Sequence, residues 1–158
     1  MHGIWRKMQV KDRTRFLVLG APKEFQPVLQ DRDPDWEMET REAIGPVDSG
    51  GAAGGGAAPT YDVVVIFVSE PEHISRAAEV IQTNVAGDDT LLWICYPKKS
   101  SKKYKSPITR DEGWDPVIDL GWEGVRQIAI DDDWSALRFR PREAIKNYTR
   151  KSTIGKGA

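Results

Sequence analysis

Short, almost wholly apolar runs alternate along this chain with polar or amphipathic stretches. Residues 15–19 (RFLVL) form the first run, closed by Gly20-Ala21-Pro22. A run this short, cut off by glycine and proline, predicts a buried strand. Residues 24–30 have the length of a short helix, punctuated at Pro27. Residues 36–41 (WEMETR) alternate and predict an edge strand. Residues 61–68 (YDVVVIFV) give the strongest strand signal in the chain. Successive β-branched residues imply burial on both faces, as in a parallel sheet covered by helices. Residues 90–96 (TLLWICY) predict a second strand of that kind.

Between these two strands the apolar period lengthens. Ile74, Ala77, Ala78, Ile81 and Val85 fall on one helical face. Ser69 and Glu72 have capping-box spacing, Pro71 suits the first turn, and Gly87 is a natural stop. Thr109 and Glu112 repeat the capping-box spacing and predict a helix running to about Leu120, with Pro116 limiting its regularity. Residues 125–130 and 134–140, joined by Asp131-Asp132-Asp133, predict an antiparallel hairpin. Leu137 and Phe139 would face one way, and Arg138 and Arg140 the other.

This order of elements predicts an α/β class fold: a doubly wound, mostly parallel sheet closed by a C-terminal antiparallel hairpin, with strand order 2-1-3-4-6-5. Residues 15–141 would form a single domain, with 1–14 an N-terminal extension and 142–158 a basic tail. Residues 45–60, containing GGAAGGGAAP, read as a flexible loop. About 44 residues precede that stretch, near the lower limit for independent folding, so it lies within one domain and does not link two. A parallel sheet ending in an antiparallel hairpin resembles the methyltransferase variant of the Rossmann-like fold.

The segments LLWICYPKKSSKKYKSPITRDEGWD and LGWEGVRQIAIDDDWSALRFR, with VLGAPKEF and YDVVVIFV before them, add a more specific likeness. They resemble a family of small bacterial proteins known chiefly as a domain of unknown function. The resemblance spans most of residues 10–145, with the Gly/Ala insert departing from it. It implies a Rossmann-like domain and supplies no catalytic residues to carry over.

Charge narrows the function classes. The 158 residues carry 23 basic and 24 acidic side chains, for a formal charge of −1. No global field draws the chain to nucleic acid or to a membrane. One cysteine, Cys95, excludes an intrachain disulfide, and it reads as a core residue. The longest purely apolar run, 63–68, is about a third of a membrane span. The expectation is a cytoplasmic protein without a membrane partner.

One polar segment stands out. Lys98, Lys99, Lys102, Lys103, Lys105 and Arg110 place six positive charges in thirteen residues with no acid among them. Ser100, Ser101, Tyr104, Ser106 and Thr109 add hydroxyls. The segment follows a predicted parallel strand, where open α/β sheets bind ligands. It points to phosphate, a nucleotide or an RNA backbone, with Arg138 and Arg140 contributing; the bland alternative is a solvated loop.

Other chemistry is thinner. The turn Leu19-Gly20-Ala21-Pro22-Lys23 lacks G-x-G-x-x-G, and no P-loop is present, which argues against a working dinucleotide or methyltransferase site. Glu37 or Glu39 would be the ribose-binding acid, if one exists. His73 suggests no catalytic triad, and the three aspartates at 131–133 read as a turn. Trp114, Trp122 and Trp134 predict a packed C-terminal core, or else a stacking platform. The leading expectation is therefore a non-catalytic module that binds an anionic small molecule or nucleic-acid backbone through the lysine-rich loop. The alternatives are a divergent methyltransferase-like enzyme and a protein-interaction domain. No cofactor, metal or catalytic residue is assigned.

Overall fold

The computed structural model describes residues 2–48 and 58–145. The greater part of the Gly/Ala insert and the end of the basic tail lie outside the described residues. Six strands form one sheet: β1 (Arg15–Leu19), β2 (Glu37–Arg41), β3 (Val63–Phe67), β4 (Leu91–Pro97), β5 (Trp122–Ala129) and β6 (Trp134–Pro141). Their order is β2-β1-β3-β4-β6-β5, as the sequence pattern predicts. β2, β1, β3 and β4 are mutually parallel, and β6 runs antiparallel to both β4 and β5.

Every residue of β3 and β4 is buried, because both faces of the central sheet are covered. On one face α3 (Pro71–Asn84) and α4 (Asp115–Ile118) pack over Leu17, Val64, Ile66, Leu92, Ile94 and Phe139. On the other, α1 (Gly3–Lys7) and α2 (Gln26–Gln30) cover Phe16, Val18, Val65, Phe67 and Trp93. Trp5 and Met8, from the segment read as an extension, are wholly buried in this second layer. Trp93 is held from the same segment: its Nε1 donates to the Met8 carbonyl at 3.0 Å.

The structure redraws three local expectations. The α3 cap is formed around Glu70 and His73, not Ser69 and Glu72: the amides of Ser69 and Glu70 donate to His73 Nδ1 at 3.0 and 3.3 Å. The helix expected from Thr109 shrinks to the single turn of α4. Thr109 and Glu112 instead exchange backbone hydrogen bonds in a turn closed by Gly113 at φ +102°, and Pro116 sits in the first turn of what remains. β5 begins at Trp122, three residues earlier than predicted, with a bulge between Gly124 and Arg126. Val125 lies in that bulge and is the exposed large apolar side chain among the described residues.

Asn84, wholly buried at the end of α3, fastens both ends of the Gly/Ala insert. It accepts from the Val47 amide and donates to the carbonyls of Val47 and Pro59. A buried amide side chain with its polar atoms engaged is a structural clamp.

Candidate functional site

The parallel strands end on one rim of the sheet, and a cleft of about 400 Å³ opens there. That volume lies in the range of roughly 300–1,000 Å³ typical of small-molecule sites. Gly20 after β1, Glu42 after β2 and Phe67 at the end of β3 line it. Ser69, Glu72, His73 and Arg76 bring in the start of α3, and Tyr104 and Trp134 close the far side. The cleft therefore spans the switch point between β1 and β3, where neighbouring strands connect in opposite directions.

Gly20 adopts φ +73°, and its amide donates to the Arg41 carbonyl at 2.8 Å. A Cβ there would stand 3.0 Å from the Phe67 carbonyl and 3.3 Å from Ile44 Cγ1. The chain thus uses the space of this glycine for its own packing.

One wall is latched by Glu24, in the turn between β1 and α2. Its Oε2 accepts from the Tyr104 hydroxyl at 2.6 Å and from Trp134 Nε1 at 3.1 Å, and its Oε1 from Lys103 Nζ at 3.3 Å. Partial burial works against ionisation of this carboxyl. The hydrogen bonds from Tyr104, its own backbone amide, Trp134 and Lys103 outweigh that effect and bring its pKa from the usual 4.5 down to about 2. An acid with a lowered folded-state pKa stabilises the fold above its unfolded pKa, and that stability is lost as pH falls through the folded one. The latch should accordingly weaken from about pH 4.5 toward pH 2, losing about 2 kcal/mol once solvent screening of this partly exposed group reduces the roughly 3 kcal/mol that the full shift represents. Urea unfolding at several pH values checks this: Glu24→Gln should lack that part of the acid dependence.

His73 also lines the cleft. Because its Nδ1 accepts the two capping amides, the neutral ring carries its proton on Nε2. In that state it offers a donor, not a base.

The lysine-rich loop is on the predicted rim, but most of its polar content is structural. Ser101 is buried; its Oγ donates to Asp133 and accepts from the amides of Lys103 and Tyr104. Ser106 donates to the Ser69 carbonyl at 2.7 Å, which ties the loop across the end of β3. Lys103 is paired with Glu24, and Arg110 with Asp111. Ser100, Lys99, Lys102 and Lys105 are exposed and Lys98 half-buried. Among the described residues these four lysines make no ion pair. Arg138 and Arg140 do not join them. The β4–β6 register sets Trp134 against Pro97 at the cleft end and Arg138 against Trp93, so the arginines lie toward the opposite rim. There Arg140 pairs with Asp88.

Of the two acids the sequence suggested for a ribose, Glu39 is engaged by Arg41 and Tyr61, and Glu37 is not among the cleft residues. Glu42, missed in the sequence, lines the cleft. The signal was the strand end itself, since the acid that faces such a cleft is the one just past the last paired residue, Arg41. The aspartates at 131–133 form the expected turn, with Asp131 Oδ1 accepting from the amides of Asp133 and Trp134. The tryptophans make no common platform. Trp114 packs with Tyr96 and Phe139 on one face of the sheet, and Trp134 with Phe67 and Tyr104 on the other. Cys95 is wholly buried, and burial pushes its thiol pKa well up, which leaves it inert as a nucleophile. Among the described residues no cluster of side chains suited to a metal ion occurs, and no helix is long and apolar enough to cross a membrane.

No family model and no curated protein matches the sequence. Solved structures do match the fold. The ribosomal protein L11 methylase of Lactobacillus delbrueckii subsp. bulgaricus is similar with a TM-score of 0.52 at 10% identity, over 89% of this chain and 75% of that one. The Methanococcus jannaschii fibrillarin pre-rRNA processing protein is similar with a TM-score of 0.47 at 11% identity, over 84% and 68%. At such identities the likeness is one of fold: this chain has a methyltransferase-like Rossmann architecture. The expectation of a non-catalytic module binding anions through the lysine loop is corrected. The neighbour with a TM-score of 0.52 is a methylase. Glu24 and Asp133 hold the loop down, and the two arginines assigned to it lie away from it.

Proposed function

We propose that the chain is a divergent methyltransferase-like enzyme whose cleft takes an S-adenosylmethionine-type cofactor. The observation that carries this reading is Glu42, an acid just past β2 that lines a cleft at the strand switch point. The residues present fit each chemical part of such a molecule. A carboxylate at the end of the second strand accepts hydrogen bonds from a ribose diol, and Glu42 is that carboxylate. Phe67, Tyr104 and Trp134 supply an aromatic wall for the adenine and the sulfonium cation. Arg76 and the His73 ring supply donors for an amino-acid carboxylate. The glycine-rich turn absent from the sequence is thus replaced by side chains. When bound, the cofactor would supply a transferable methyl group.

The chain's own residues bind and orient; none is placed as a base. The Glu24 latch holds Tyr104 and Trp134 in position as a wall. Lys98, Lys99, Lys102 and Lys105 belong to the loop that provides this wall. On this reading they meet the methyl acceptor at the mouth of the cleft.

Calorimetric titration with S-adenosylmethionine tests the reading. The wild-type chain should bind it, and Glu42→Gln should weaken binding by about tenfold, the effect of removing a charge-assisted hydrogen bond of about 1.5 kcal/mol. Binding that is unchanged in Glu42→Gln would remove Glu42 from its role.

A further inference from the structure

The opposite rim of the sheet carries positive charge that outnumbers its acidic partner among the described residues. Arg138 on β6 shares its face of the sheet with Arg140, with its cross-strand partner Arg126 and with Trp93 of β4. Arg13, at the end of the turn from α1 to β1, comes into the same electrostatic group. Asp88, just before β4, interacts with Arg13, Arg138 and Arg140 together. Its carboxylate is committed to Arg140 through two hydrogen bonds of 2.9 and 2.8 Å. Three guanidinium groups therefore share one carboxylate, a surplus of two positive charges.

Arg138 bears the consequence. Its Nε is buried without a hydrogen-bond partner among the described residues. Burial, then Arg140 and Arg13, lower its pKa to about 10, with Asp88 opposing them. A guanidinium desolvated among like charges is costly unless an anion completes it. Residues 1, 49–57 and 146–158 contain no aspartate or glutamate side chain. The turn that presents Arg13 is itself strained. Gln9 and Lys11 adopt φ +62° and +52°, a left-handed backbone that disfavours residues with a Cβ. Strain of this kind is retained where the surrounding structure holds a segment in place.

We propose that Arg13, Arg126 and Arg138 form a binding site for a phosphomonoester-type dianion on the rim opposite the cleft. With Asp88 committed to Arg140, Arg13, Arg126 and Arg138 are left to attract a dianion, and guanidinium forks pair with phosphate oxygens in bidentate fashion. The site is separate from the cofactor cleft, so either reading stands if the other fails.

The test is a titration of the full ¹⁵N-labelled chain with inorganic phosphate at constant ionic strength, near pH 7.5, where a phosphomonoester with its second pKa of about 6 is a dianion. The probes are the Arg138 Nε–H resonance, assigned by its loss in Arg138→Lys, and the backbone amides of β5 and β6, which also report on the variants at Arg138. A saturable shift with a dissociation constant of about 1 mM or tighter is expected. Arg138→Met should abolish binding without lowering the melting temperature in the absence of phosphate. Arg13→Gln, which leaves the sheet untouched, should weaken binding about tenfold. Phenyl phosphate is run beside inorganic phosphate. Tighter binding of the ester assigns the site to a phosphorylated ligand, and tighter binding of the free ion to phosphate itself; both support the site. A shift that never saturates, an equal response to the monoanion dimethyl phosphate, or undiminished binding in Arg138→Met would overturn it.

Discussion

Replacing Trp5 with alanine should lower the unfolding free energy by about 4 kcal/mol, the size expected for a buried tryptophan truncated to a methyl group. Trp5 is wholly buried and meets Phe16, Phe25 and Trp36 edge-on, with ring centroids 5.5, 6.0 and 5.5 Å away. Its Nε1 donates to the Val28 carbonyl at 3.0 Å. Truncation would leave a cavity, remove three aromatic contacts and orphan a buried carbonyl on α2. The damage would spread because α1 and α2 together cover this face of β1. Urea unfolding followed by tryptophan fluorescence measures it. A loss of less than about 1 kcal/mol, the usual effect of a surface substitution, would mean that the N-terminal segment is no part of the core.

Gly20→Ala should cost about 3 kcal/mol and disturb the cleft as well. Left-handed backbone at φ +73° is unfavourable by roughly 1–2 kcal/mol for a residue with a Cβ. The new methyl group would also press on the Phe67 carbonyl at 3.0 Å, a backbone atom that cannot swing away, and on Ile44 at 3.3 Å. Phe67 and Ile44 both line the cleft, so relieving the contact reshapes it. Denaturation midpoints and S-adenosylmethionine affinity should therefore fall together. A variant with wild-type stability would show that the turn after β1 is looser than its geometry states.

The sheet was legible because its strands are short runs whose burial leaves little choice. In β3 and β4 both faces are covered, so continuous apolar sequence is all that fits, and the antiparallel ending follows from a three-residue connection that can only make a hairpin. Helix ends were less legible. Glu70 caps α3 because His73 turns its Nδ1 back to two amides, which a rule about serine and glutamate spacing cannot anticipate. Thr109 and Glu112 had the same spacing but close a turn, with Gly113 and Pro116 ending the helical option. Trp5 and Met8 escaped notice because five residues of α1 are too few to show a period.

The site was half legible. The rim was inferred from topology, and the lysine loop is there. Its charges drew attention away from Glu24, a single acid seventy-nine residues from Lys103 whose three partners meet only in the fold. Composition alone groups Arg138 and Arg140 with the lysines. The antiparallel direction of β6 carries them toward the other rim, and direction is a property of the sheet, not of local sequence. The missing glycines were a sound observation about one way of holding a nucleotide. They did not weigh the side chains that face the cleft.

The most direct test of the cofactor cleft is a crystal structure of the chain grown with S-adenosylhomocysteine. Electron density for the nucleoside is predicted over the rim between β1 and β3, with its ribose hydroxyls on Glu42 and its base against the wall of Tyr104 and Trp134. A ligand bound away from Glu42, or an empty cleft at saturating ligand concentration, would contradict the account.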